Sequence, residues 1–289
     1  MKISTEIASI AKHVGEHKAV ELCAKAGFDG WDFSMFQMGL YNWSTHSLEP
    51  SDHPLRGSQY LKFARELRKI GEDNGIRCNQ SHAPFPVNCL PIREMLPRAI
   101  ECTAEAGGEI CIIHPDNNKT PEENAEMYLE LLPLAKDCGV KIATENMWNW
   151  DNETGYSSFA ACATSESFCW HIDVVNDSSF VACLDLGHAE MKGSGEGAAN
   201  MIRALGSRLQ ALHIHDNDLH HDSHQIPGAM KIDFDGIIRA LQDIGYQGWF
   251  TLEADQYLKT YTANTVANGV QKLADCAKSL AEKFENKTF

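Results

Sequence analysis

The stretch VACLDLGH at residues 181–188 is an apolar run that stops on a carboxylate, Asp185, with an imidazole, His188, three residues further on. The same ending recurs from the middle of the chain onward, at His82 in NQSHAPF, His114 in CIIHP, Glu145 in IATEN, His213 in LQALHIHD and Glu253 in WFTLEAD. Near-continuous apolar runs such as CIIHP suit strands buried on both faces. Residues so far apart in sequence, each just past a strand, meet in space only if the strands are parallel neighbours in one closed sheet. The reading is α/β: a single (β/α)8 barrel with a metal-centred active site at the C-terminal face of its strands.

Working outward from 181–185, further strands are expected at 2–9, 30–35, 77–81, 110–114, 141–145, 210–213 and 249–253, separated by stretches with helical periodicity. The last helical stretch runs from about 263 to 287. Several helices close on glycine before the next strand, as in KAGFDGW, DCGVKI and DIGYQGW, which suits a left-handed terminal residue. The longest irregular segments, about 36–58, 146–163 and 216–231, all follow strands and so fall on the expected functional face. No repeat or linker interrupts the pattern, and 1–289 is read as one domain.

The chain has 289 residues, 43% of them hydrophobic, enough for one large core. Acidic residues outnumber basic ones by 40 to 25, for a net charge of −15. With no local basic patch, nucleic acid and acidic membranes are not expected as partners. The ten cysteines contain no C-x-x-C and lie mostly in apolar runs, which reads as reduced thiols. There is no N-terminal apolar leader and no run of about 18 apolar residues. The expectation is a soluble, cytoplasmic protein acting on a small molecule, with homo-oligomerisation left open. Phosphate-loop, G-x-S-x-G and dinucleotide motifs are absent.

Glu145, Asp185, His213 and Glu253 form the expected ligand set. Clustered carboxylates at one barrel mouth would repel strongly without a cation, and this donor set suits Mn²⁺, Mg²⁺, Co²⁺ or Zn²⁺. Glu145 and Glu253, on strands five and eight, would face a substrate from two sides and serve as its acid–base pair. The ion would polarise a carbonyl and stabilise an enediolate. His213 and His215 share one side of their strand. His213 is favoured because Asp216 follows it in H-x-x-D, with His215 and Asp218 the rival. His188, Asp222 and His224 are further candidates, whereas His13, His17, His46, His53 and His171 are assigned to structure. Phe33, Phe36, Phe85, Trp148 and Trp150 are candidates for an apolar wall.

Through SHAPF, TENMW, LDLGHAEMKG, HIHDND and LEAD the whole chain resembles the xylose isomerase-like TIM barrel superfamily, which includes sugar phosphate isomerases and epimerases, ketose 3-epimerases, inosose dehydratases and endonuclease IV. The epimerase resemblance implies one divalent ion on Glu145, Asp185, His213 and Glu253, with His188 touching substrate oxygens. The endonuclease resemblance implies three zinc ions on those five residues together with His82, His114, Asp222 and His224. Where relatives show P-G-x-G-x-I-D, this chain has Met230 and Lys231 within residues 227–233, which puts Lys231 among the expected substrate contacts. The implied activity is a metal-dependent sugar, sugar-phosphate or polyol isomerase or epimerase. Dehydratase chemistry on the same scaffold, a multi-zinc phosphodiesterase and a non-catalytic sugar-binding barrel are the alternatives.

Overall fold

The computed structural model describes residues 1–286, so the end of the expected terminal helix at 287 lies outside the described residues. Each expected strand stretch overlaps a parallel strand: β1 Ile3–Thr5, β2 Gly30–Ser34, β3 Arg77–His82, β4 Ile110–Ile112, β5 Lys141–Glu145, β6 Phe180–Asp185, β7 Leu209–His213 and β8 Phe250–Leu252. Strands β2 to β7 form one six-stranded ladder in chain order, and β1 pairs with β8. Single parallel bridges, Glu6 to Asp32 and Ile214 to Leu252, join the two pieces into a ring.

The crossovers are α1 Glu16–Ala26, α2 Tyr60–Asp73, α3 Leu96–Ala106, α4 Pro121–Asp137, α5 Ser165–Val175, α6 Ala198–Leu205, α7 Phe234–Asp243 and α8 Val266–Asn286. The glycines expected to close helices do so at positive φ: Gly27 (88°), Gly139 (69°) and Gly245 (65°). No helix among the described residues is long and apolar enough to cross a membrane. All ten cysteines are free thiols.

Two strands end two or more residues short of expectation, and the other boundaries differ by at most one residue. The first strand stops at Thr5 because Glu6 turns its carboxylate onto the backbone N–H of Ser9 (2.9 Å) and starts a helix at Ala8–Val14. The fourth stops at Ile112, where Tyr128 Oη donates to the carbonyl of Ile113 (3.0 Å) and draws the chain away before His114. The long loops also carry structure. Two antiparallel hairpins, Tyr41–Asn42 with Ser47–Leu48 and Asn149–Asp151 with Tyr156–Ser158, rise from the strand ends.

Alternation of side chains sorts each strand into a face toward the helices and a face toward the barrel axis. Ile112, Ala143, Val181, Cys183 and Ala211 form a buried cluster of their own. Two residues further along, the same faces carry His114, Glu145, Asp185 and His213. The opposite half of the barrel interior is polar: Ser4 bonds Thr251, Thr251 bonds Gln80, and Gln80 donates to Asp32. The apolar layer supports the donors from below and keeps water from approaching them through the barrel.

Gly30 shows how tightly the lower rim is packed. A Cβ there would lie 2.6 Å from the carbonyl oxygen of Arg77 and 2.7 Å from the Trp249 ring. Gly30→Ala is expected to destabilise the fold by about 1–3 kcal/mol, the usual cost of overpacking. Urea unfolding measures it, and an unchanged midpoint would show that the rim can yield.

Candidate metal centre

The strand ends bring the chemistry-bearing residues into three linked clusters. In the central one, His213 Nδ1 lies 3.1 Å from Glu145 Oε1 and 3.2 Å from Glu253 Oε2, with Asp185 completing the set. In the second, Glu145 Oε2 faces Nε2 of His114 at 3.4 Å and Nε2 of His82 at 3.7 Å, and these two nitrogens are 2.9 Å apart. In the third, Asp222 is approached by Nε2 of His224 (3.1 Å), of His188 (3.3 Å) and of His215 (3.6 Å). Glu145 therefore belongs to two clusters. Asp185 ties the central cluster to the third, since it receives His215 Nε2 at 3.0 Å.

The orientation of the imidazoles fits cation binding. His82 Nδ1 lies 2.8 Å from the carbonyl of Ala83, His188 Nδ1 2.9 Å from that of Asn146, and His224 Nδ1 2.7 Å from that of Glu253. A carbonyl can only accept, so Nδ1 carries the proton and Nε2 is turned toward the cluster, as in histidines poised for metals. Glu145 Oε2 and Asp222 Oδ1 are buried without a hydrogen-bond donor. A bare carboxylate oxygen away from water is costly, and a divalent cation is the partner these donors suit.

Burial disfavours charge on every one of these groups, and neighbours decide the outcome. For Glu145 the imidazoles of His213 and His114 outweigh burial and hold the carboxyl well below its usual range. For Glu253 burial prevails over His213 and His224, and the carboxyl is pushed well above it. Burial of His188 is overcome by Asp185 and Asp222, which raise it to about 10. His224 is likewise raised against its burial, chiefly by Asp222. Burial and the adjacent His114 push His82 well below the ordinary imidazole range.

His82, His114, Glu145, Asp185, His188, His213, Asp222, His224 and Glu253 all converge here, and His215 joins them. The basis for preferring His213 over His215 does not hold. Asp216 is a loop clamp that accepts the backbone N–H groups of Met230, Lys231 and Ile232, and Asp218 accepts those of His220 and His221. Both imidazoles point inward, each to a different cluster. His215 stacks on His224 at 3.8 Å and fills the space beside Gly187, where a Cβ would meet its ring at 1.9 Å.

Phe85, Trp148 and Trp150 line the cavity above the donors, and Phe36 packs edge-on to His82 and Phe85. Phe33 does not reach the cavity. It shares the outward parity of Trp31 on β2 and packs on Trp31 and Phe63 in the core. Lys231 is exposed on its loop and absent from the lining. The histidines assigned to structure have partners elsewhere, such as Glu16 for His53 and the Ser167 carbonyl for His171.

Sequence reasoning missed Asp32, which is fully buried on the inward face of β2 with Oδ2 3.4 Å from His213 Nε2. An acidic residue between Trp31 and Phe33 in GWDFS was the available signal. Asn146, whose amide exchanges two hydrogen bonds with the backbone of Asp185, and Trp43, on the first hairpin, were also missed.

The family model for the xylose isomerase-like TIM barrel matches residues 20–279. The chain belongs to this family. Among its relatives, the uncharacterised protein MJ1311 of Methanocaldococcus jannaschii is 26% identical over 253 residues, covering 81% of this chain and 78% of its own. Fructoselysine 3-epimerase of Escherichia coli O157:H7 is 27% identical over 129 residues, 45% of this chain and 44% of that enzyme. The crystal structure of the IOLI protein with a bound zinc atom superposes with a TM-score of 0.70 at 19% identity, over 100% of this chain and 99% of that one.

An ion entering the third cluster must displace the protons that His188 and His224 hold in the ion-free protein. Zinc binding is therefore expected to release protons and to tighten from about pH 6 to about pH 9. Calorimetric titration in buffers of different ionisation enthalpy measures this, and uptake without proton release would show those imidazoles to be neutral beforehand. Stability of the ion-free protein has the opposite slope. The contribution of charged His188 is complete below its ordinary pKa of 6.5 and is lost as pH rises through about 10.

Proposed function

We propose that this protein is a divalent-metal-dependent isomerase or epimerase of a sugar or polyol. The observation that carries the reading is the pair Glu145 and Glu253. Both carboxylates line a cavity of about 500 Å³ while their other sides rest on the same His213 imidazole. Inverting or shifting a carbon beside a carbonyl requires a proton to leave and a proton to return, through an enediolate-type intermediate. Two carboxylates on one substrate can divide that work. Asp32 behind His213 and the carbonyls behind His82, His188 and His224 fix the imidazole orientations. His188 and His82 or His114 are then available to hold substrate hydroxyls. A divalent ion on Glu145, Asp185, His213 and Glu253 would polarise the carbonyl and offset the negative charge that develops there. The zinc-bound fold relative and the epimerase relative support the reading.

The decisive experiment is incubation with a ketose panel in D₂O, following deuterium entry beside the carbonyl. Glu145→Gln and Glu253→Gln are each expected to lower turnover by about two to four orders of magnitude, the scale of a positioned acid–base group. Metal content of both variants must accompany the assay, so that lost metal is not mistaken for a lost base. Near-normal exchange in either variant with metal retained would remove that residue from the chemistry. Full activity after chelation, in protein shown by elemental analysis to be metal-free, would remove the ion.

One observation favours a second reading, a multi-zinc phosphodiesterase of endonuclease IV type. A single ion on the central cluster leaves His82, His114, His188, His215, Asp222 and His224 in two further donor groups. Against it stand the net charge of −15 and a cavity lining without lysine or arginine among the described residues. Nonspecific duplex binding depends on such cations. Cleavage of abasic duplex DNA at physiological salt, abolished by Glu145→Gln, would reverse the ranking.

A further inference from the structure

The walls of the cavity carry information that its floor does not. Trp43 stands on the hairpin after β2, 60% exposed, against Phe85 from the segment after β3 (centroids 6.4 Å apart). Trp148 and Trp150, 6.4 Å apart and edge to face, rise from the segment after β5. Trp150 keeps 38% exposure although His221 stacks on it. These are two aromatic surfaces on separate loops, both reaching the cavity and both left open to solvent. Core packing does not explain tryptophans so exposed, and aromatic faces attract flat apolar rings, adding to plain burial.

The remaining wall carries the neutral amides Asn88, Asn117, Asn118 and Asn149 beside apolar Pro86, Val87, Pro115 and Met147, and the carboxyl groups in the lining are those of Asp116, Glu145, Asp222 and Glu253. A phosphate ester is most often held by arginine or lysine, and neither lines this cavity among the described residues. Arg93 and Lys119 line a neighbouring cleft that meets this cavity only at Val87, Asn88 and Asp116. Arg93 is moreover paired with Glu130. A cavity of about 500 Å³ lies within the span that encloses a ligand of drug size, larger than one sugar ring.

We infer that the substrate is an unphosphorylated sugar carrying a second ring, with the sugar over the carboxylates and the added ring against Trp43 or Trp150. The second ring is either an aromatic aglycone or another pyranose, since both offer a flat apolar face to an indole. This inference rests on the proposed sugar chemistry but is read by binding, so the two can fail separately.

The test is calorimetric titration of zinc-loaded protein with methyl β-D-glucopyranoside, phenyl β-D-glucopyranoside, cellobiose, glucose and glucose 6-phosphate. At least one two-ring ligand is expected to bind about tenfold more tightly than the methyl glycoside. A gain confined to the phenyl glycoside identifies an aromatic aglycone, and one confined to cellobiose a second sugar. Glucose 6-phosphate is expected to bind no more tightly than glucose. In Trp43→Ala or Trp150→Ala, both at exposed positions, the two-ring to one-ring ratio should fall toward one. Equal affinity of one-ring and two-ring ligands, tighter binding of the phosphate, a ratio unmoved in both variants, or no binding of any ligand overturns the inference. Deuterium exchange into a free ketose alongside equal affinities would overturn it while sustaining the isomerase reading. A clear ring preference without exchange into any sugar would do the reverse.

Discussion

Glu145 is a carboxylate with almost no access to water, and keeping it ionised is the constraint to which the barrel mouth is fitted. An unpaired carboxylate in such surroundings would take up a proton. Here neighbouring imidazoles prevent it, chiefly His213 at the end of β7 and His114 beyond β4, with His188 beyond β6 at 3.9 Å. Each of those strands must therefore end at a height that delivers a ring nitrogen to one point. The apolar layer of Ile112, Ala143, Val181, Cys183 and Ala211 lies directly beneath, so a change of volume there would tilt the donors above.

The parts of this arrangement governed by local pattern were legible in the sequence. Apolar runs separated by helical periodicity located all eight strands, and β5 matched at both ends because Gly139 and Glu145 bracket it clearly. The donors were legible because a charged residue at the end of an apolar run is conspicuous. What depended on direction was not. Phe33 looks like a mouth residue until strand parity turns it toward the helices, while the same parity turns Asp32 inward. Asp216 and Asp218 look like partners of a metal histidine, but short acidic side chains in a tight loop find backbone N–H groups first. Trp43 reaches the cavity only because a hairpin folds back over the barrel end, and nothing local in 36–58 announces the pairing of Tyr41–Asn42 with Ser47–Leu48.

Floor and walls are built differently. The donors of the central cluster sit at or just past the ends of barrel strands, where hydrogen-bonded neighbours limit movement, whereas Asp222 and His224 come from the loop after β7, and carbonyls hold three of the imidazoles from behind. The tryptophans sit on two-stranded hairpins outside the ring, with their side chains partly in solvent. In the proposed reading, chemistry rests on the barrel strands and ligand selection on the hairpins above them, the division that lets barrel enzymes share a reaction while differing in substrate.

The contact between Gly187 and His215 bears on how such a mouth can change over generations. The ring occupies the volume that any side chain at 187 would need, so the two positions do not vary independently. A lineage carrying histidine at 215 is confined to glycine at 187, and loss of the imidazole has to precede a methyl group there. Among descendants of this protein the two sites should covary, with glycine at 187 marking those that keep the fourth member of the third cluster.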